Sequence, residues 1–190
     1  MTNNDKWNIH WEISRPELEK IIEINSFFLE NYNSEINFRS GVIPHITLMM
    51  GKLRLNSSVD LLRQRCIDLG KNLKEISVEF NHPYLEDTTG HYIFMDPVDS
   101  NYLKISKNIA QDLFGDLLEP STFGGSENPS HLTVGYVSKG SKLEEIPFLT
   151  NSHLKIRLKS IGLSQCGPRG TCFEPVFSIP VVENEGEVLE

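Results

Sequence analysis

Pro44-His45-Ile46-Thr47-Leu48 decides how this chain is read, because its pattern returns as Ser130-His131-Leu132-Thr133-Val134. Each stretch sets an imidazole and a hydroxyl two residues apart in a run of strand-forming residues. Side chains alternate across a strand, so His45 and Thr47 share one face while Ile46 points to the other. His131, Thr133 and Leu132 repeat the arrangement. Of the six histidines, only these two have Thr at the second position on; His10, His82, His91 and His153 are followed there by Glu12, Tyr84, Ile93 and Lys155.

The surroundings of the two stretches are alike in pattern. Before the first, Trp7, Ile9, Trp11 and Ile13 alternate with Asn8, His10 and Glu12, which predicts a half-buried strand with His10 and Glu12 on its open face. Ser14, Pro16 and Glu17 then open a helix with capping-box spacing, and Ile21, Ile24, Phe28 and Tyr32 form its apolar stripe. Asn31 to Gly41 reads as a polar connection to the first His/Thr strand, which runs to Met50, with Met49 and Met50 in the core. Ser57 or Ser58 starts a second helix carrying Val59, Leu62, Cys66 and Leu69, and Ile76 to Phe80 alternates as a strand. Asp87 to Gly90 is a turn.

The second round starts at the strand His91 to Met95. A helix from about Ser100 to Phe114 follows, with Tyr102, Ile105, Ile109 and Leu113 in line and Gly115 at its end. Glu119 to Pro129, with Gly124-Gly125, is loop; the second His/Thr strand runs from about His131 to Val137. Leu143 to Leu149 is a short helix candidate. Leu154 to Leu158 is a strand, Gln165 to Gly170 a turn containing Arg169, and Thr171 to Val181 a final strand broken by Pro175. Trp7 to His45 spans about as many residues as Tyr92 to His131. A repeated unit related by a pseudo-two-fold axis would bring both histidines into one cleft.

The whole chain limits what that cleft can serve. Its 190 residues suffice for one bilobal domain, and 38% hydrophobic and 23% charged residues fit an ordinary globule. No apolar run approaches the ~20 residues of a membrane span, and no hydrophobic signal core stands at the N-terminus, so a cytoplasmic protein with no membrane partner is expected. The three cysteines are expected as free thiols, although Cys166 and Cys172 are placed to bridge a hairpin. No metal-ligand spacing is present, so neither a metal nor another cofactor is expected. A net charge of -8 without a Lys/Arg block argues against long nucleic acid as a partner and leaves a small nucleotide. The tail from Glu183 to Glu190 holds four Glu and reads as disordered.

Phosphoryl transfer between oxygens needs one group to take a proton and another to give one, and imidazole does either near neutrality. Hydroxyls beside each imidazole supply donors for the phosphoryl oxygens. The paired motifs resemble the His-x-Thr motifs of the two-histidine phosphoesterase superfamily, which includes 2′-5′ RNA ligase-like proteins and cyclic nucleotide phosphodiesterases. The order of elements agrees from about Trp7 to Pro180. The resemblance implies an α+β, bilobal, duplicated fold with two antiparallel sheets lining a central cleft and helices outside. A single domain, 1–182, would have lobes around 7–85 and 90–165 and a terminal strand at 171–181, ahead of the tail 183–190. By the same resemblance His45 and His131 are the acid/base pair and Thr47 and Thr133 hold phosphate oxygens. Tyr136, five residues after His131, and Trp11 are candidates to stack on a base; alternation puts Tyr136 off the His131 face unless a bulge turns it. Core packing is the equal alternative for Trp11.

The expected enzyme is a metal-independent hydrolase, a phosphodiesterase opening 2′,3′-cyclic phosphates or cleaving small nucleotides, acting as a monomer. ADP-ribose 1″,2″-cyclic phosphate and short or cyclic oligonucleotides are further substrates. The alternatives are an RNA end-processing enzyme or ligase, which the acidic balance disfavours, and a non-catalytic nucleotide-binding module, which would not need a matched acid and base. Arg169 is a further candidate to reach a phosphate.

Overall fold

The computed structural model describes residues 5–86, 91–121, 125, 127–138 and 154–183. The expected turn from Asp87 to Gly90, Gly124, the expected helix from Leu143 to Leu149 and the tail from 184 onward lie outside the described residues.

The alternating segment at the N-terminus forms β1 (Lys6–Glu12), followed by α1 (Arg15–Tyr32). The Ser14 hydroxyl bonds the Glu17 carboxylate, whereas its carbonyl accepts from Leu18 N at 3.0 Å; Ser14 caps with its backbone and not its side chain. Asn33, in the left-handed region at φ 51°, ends the helix. A short β2 (Val42–Ile43) leads into β3 (His45–Leu53), the first motif strand. α2 (Val59–Asn72) is capped by Ser58, whose Oγ accepts from Leu61 N, and buries Leu62, Cys66 and Leu69. Then come β4 (Ile76–Phe80), β5 (Tyr84–Leu85), β6 (Tyr92–Met95) and α3 (Asn101–Phe114). β7 (Leu118–Pro120) lies where loop was expected and precedes β8 (Leu132–Tyr136), the second motif strand. β9 (Leu154–Leu158), β10 (Ser160–Gln165), β11 (Cys172–Phe173) and β12 (Phe177–Pro180) complete the described chain, with a 3-10 turn at Pro168–Gly170.

The strands make a five-stranded sheet in the order β12-β10-β1-β3-β7, a three-stranded sheet β5-β6-β8, and the pairs β4-β9 and β11-β2. All the named pairings are antiparallel. The sheets therefore do not follow the boundaries 7–85 and 90–165: β10 and β12 join β1, and β4 pairs with β9. The helices cross as well. α1, which follows β1, packs on β8 and β9, while α3, which follows β6, packs on β3 and α2.

The two motif strands are built alike. β1 against β3 steps from Ile9↔Met49 to His10↔Thr47, leaving Leu48 as an extra residue. β6 against β8 steps from Ile93↔Gly135 to Phe94↔Thr133, leaving Val134 extra. Each motif is thus followed at once by a β-bulge, which shifts the facing of every later residue by one. The same register makes His10 and Phe94 equivalent positions, each opposite the motif Thr.

On the five-stranded sheet one face is apolar and buried, with Trp7, Ile9, Trp11, Ile46, Met49, Ile161 and Leu163 in the core. Asn8, His10, Glu12, His45, Thr47, Gly162 and Ser164 share the other face by register. Met49 and Met50 are buried as expected. α3 is rotated from the expected stripe: Leu103, Ser106, Lys107, Ala110 and Phe114 are its buried residues, and Ile105 is 52% exposed. Among the described residues no helix is long and apolar enough to cross a membrane.

Candidate active site

His45 and Thr133 line one pocket, together with Ile43, Phe38, Val42 and Arg169. His131 stands close enough for His45 to act on it electrostatically. The two motifs, remote in sequence, therefore converge.

A backbone carbonyl two residues back acts on each imidazole. His45 Nδ1 donates to the carbonyl of Ile43 at 3.1 Å. The carbonyl of Pro129 favours a proton on His131. A carbonyl only accepts, so His45 carries its proton on Nδ1 and keeps the Nε2 lone pair for chemistry. Burial lowers the pKa of His45, and it lowers that of His131 to about 4, assisted by the charge of Lys107. Both rings are neutral in the free protein at neutral pH.

Asn8, fully buried on β1, organises the first motif. Its Nδ2 donates to Thr47 Oγ1 at 3.0 Å and to His45 Nε2 at 3.3 Å. Because Thr47 Oγ1 accepts there, its own O–H is left to donate elsewhere. Cys172 Sγ is 3.5 Å from His45 Nε2, and burial raises its pKa, so a neutral thiol faces the imidazole. Cys66, Cys166 and Cys172 are free thiols, as expected.

An aromatic ring lies against each catalytic candidate. His10 is 5.3 Å from His45, centroid to centroid. It is fully buried, with Nε2 at 2.9 Å from Ser164 Oγ and Nδ1 at 3.3 Å from the carbonyl of Trp11, and burial lowers its pKa to about 3. The expectation of an open His10 is corrected: its ring is fully buried, packed against Gly162 and Ser164 of the neighbouring β10 and against His45. Gly162, opposite His10, makes the room, since a Cβ there would lie 2.5 Å from the ring. Phe94, the equivalent of His10, stacks on His131 with centroids 3.9 Å apart and planes at 18°.

Tyr136 comes to the pocket side through the bulge at Val134. The freed carbonyl of Val134 accepts from Asn25 Nδ2 at 2.9 Å, a buried amide on α1 that also holds Ile36 O and Phe38 N. Ser34 Oγ accepts from Tyr136 N, and Glu35 N donates to Tyr136 O at 2.8 Å. The connection after α1 is therefore pinned along β8, with Ile36 and Phe38 buried, and is not simply polar. The guanidinium of Arg169 lies 4.3 Å from the Tyr136 ring centre and pairs with Glu35. Arg169 adopts φ 57°, a left-handed conformation unusual for a residue with a Cβ.

Trp11 does not reach the site. It is fully buried opposite Ile46 on the apolar face, so its ring has no open surface for a base. Asn8, His10, Phe94 and Lys107 are site neighbours that the sequence did not single out as such. Their signal was weak: polar or aromatic residues on alternate strand positions, or a lysine on a helix, legible only once pairing with the motif strand is known. Among the described residues no group of three or more His, Cys, Asp or Glu is arranged to hold a metal ion.

No family model matches the chain, and no curated protein matches it. Solved structures do. Escherichia coli LigT complexed with 3′-AMP matches with a TM-score of 0.65 at 12% identity, over 93% of this chain and 98% of that one. TT0787 of Thermus thermophilus matches at 0.60 and 11%, over 94% and 99%. Usb1 of Kluyveromyces marxianus matches at 0.53 and 10%, over 95% and 100%. At these identities the likeness establishes the fold, an α+β fold of antiparallel sheets with three described helices, as the resemblance implied.

Proposed function

We propose that this chain is a two-histidine phosphoesterase that hydrolyses a 2′,3′-cyclic phosphate, or a small nucleotide phosphodiester, without a metal. The observation that carries the reading is the convergence of the two motifs, with His45 of the first and Thr133 of the second lining one pocket. That a protein of the same fold was crystallised with 3′-AMP supports a nucleotide as the ligand class.

The chemistry follows from the geometry. A phosphate between the motifs accepts from the Thr47 hydroxyl, left free by Asn8, and from that of Thr133. One imidazole takes a proton from water through its Nε2 lone pair, and the water oxygen bonds to phosphorus. The bond to the 2′- or 3′-oxygen breaks, and the other imidazole, as imidazolium, protonates the departing oxygen. The bound phosphate anion favours that proton in the site, offsetting the burial that keeps both rings neutral when it is empty. Apolar Phe38, Val42 and Ile43 beside His45 suit a nucleoside, with Tyr136 and Arg169 at the rim to stack on or hydrogen-bond it.

The test is a panel of 2′,3′-cyclic nucleotides, ADP-ribose 1″,2″-cyclic phosphate, linear dinucleotides and RNA ends, with products identified. Ring opening to one monophosphate supports the proposal. Binding without turnover, or end-joining, refutes it.

A further inference from the structure

α3 buries a charge at its centre. Lys107 is 2% exposed, between Leu103 and Ala110 on the face that meets β3. A buried ammonium is costly unless its hydrogen bonds are met. Its Nζ donates to Asn128 O at 2.8 Å and stands 3.5 Å from Pro129 O, the last carbonyls before the second motif. Pro129 O is also the backbone acceptor that favours a proton on His131. One carbonyl therefore bears on the Lys107 ammonium and on the His131 imidazole at once. Burial lowers the pKa of Lys107 to about 8, against the attraction of Glu127 in the same loop, so the ammonium is the main form at neutral pH and below.

We propose that Lys107 is a positioning residue for His131: its ammonium holds the carbonyls of Asn128 and Pro129 and so fixes the backbone from which the imidazole projects. The same ammonium stands near enough to oppose a proton on the ring. A carbonyl already polarised by an ammonium is a poorer acceptor for an imidazolium N–H, so the proton gains less from that hydrogen bond. The other groups facing His131 are few among the described residues. His45, from β3, also opposes the proton, while Glu86, after β5, favours it, and the face of Phe94, from β6, favours a cation. Burial is the main reason that His131 is empty of its proton in the free protein, and Lys107 adds to it.

The experiment is a titration of the His131 ring by NMR in the full chain, for wild type, Lys107→Gln and Lys107→Arg. Gln keeps a donor for the loop carbonyls and removes the charge; Arg keeps both. In Lys107→Gln the His131 midpoint should rise by about one pH unit, while Lys107→Arg stays near wild type. The kinetic half rests on the function proposed above. The limb of the kcat/KM profile on a cyclic nucleotide that His131 sets should move up with the midpoint, by about one pH unit in Lys107→Gln, and stay in place in Lys107→Arg. An unmoved His131 midpoint in folded Lys107→Gln, or an equal shift in Lys107→Arg, overturns the inference. Because the titration needs no substrate, it stands or falls separately from the hydrolysis of a cyclic phosphate.

Discussion

At the scale of single residues, His45 is a ring with Nδ1 tied to a carbonyl and Nε2 an acceptor, and His131 is the ring proposed to work with it. His45→Ala and His131→Ala should each cut kcat by about 10²–10⁴-fold, the usual worth of general acid or base catalysis. The double variant should be little worse than the poorer single one, because the two act as a unit. Thr47→Ala and Thr133→Ala should cost less, about 2–4 kcal/mol of transition-state stabilisation each. Steady-state kinetics at several pH values checks all five variants. Additive losses, or a flat pH profile in the wild type, would go against the mechanism. The motif residues were legible because chemistry confines them to one face of a strand. Asn8 and Lys107 were not, because an asparagine on a strand and a lysine on a helix are ordinary surface residues until pairing and rotation are known.

At the scale of elements, the sequence showed most strands and all three described helices, since their apolar periods are strong. It did not show β7 or β10, nor the two-residue strands β2 and β5. β10 carries Gly162 and Ser164 on its polar face, a poor strand signature for a physical reason: those small side chains are what leaves space for His10. Gly162→Ala should therefore destabilise the protein by about 1–3 kcal/mol through overpacking, because the enclosed ring cannot retreat. It should also push His10 toward His45 and lower kcat. Calorimetry and kinetics on the same sample check this; an unchanged melting temperature would mean that the ring has room. The stripe of α3 was read out of phase because Ile105 looks more like core than Lys107. Burial of the lysine wins because loop carbonyls await it, and hydropathy alone does not register a waiting acceptor. The bulges after both motifs were equally invisible, although the need for one at Tyr136 was foreseeable from alternation.

At the scale of the whole molecule, the buried imidazoles tie stability to pH. His10 is lowered to about 3 and His131 to about 4, and His45 moves the same way. Below about pH 6.5 the unfolded chain takes up protons that the folded chain refuses, so these rings contribute stability above that value. The contribution is lost as pH falls toward the folded pKa values. The melting temperature should drop steeply between about pH 6.5 and 4, and His10→Gln, which retains hydrogen-bonding groups without titrating, should flatten that drop. A thermal-melt series over pH decides it. Activity should survive EDTA, since imidazoles do the proton transfers; loss on chelation with recovery on adding a divalent ion would remove the proposed mechanism. The exchange of helices between sheets has a consequence of another kind. α1 roofs strands of the later half, and α3 roofs a strand of the earlier one. Neither half owns its cover, so residues 1–86 and 91–190 made as separate polypeptides should each be unstructured, yet should reassemble on mixing into a single active particle.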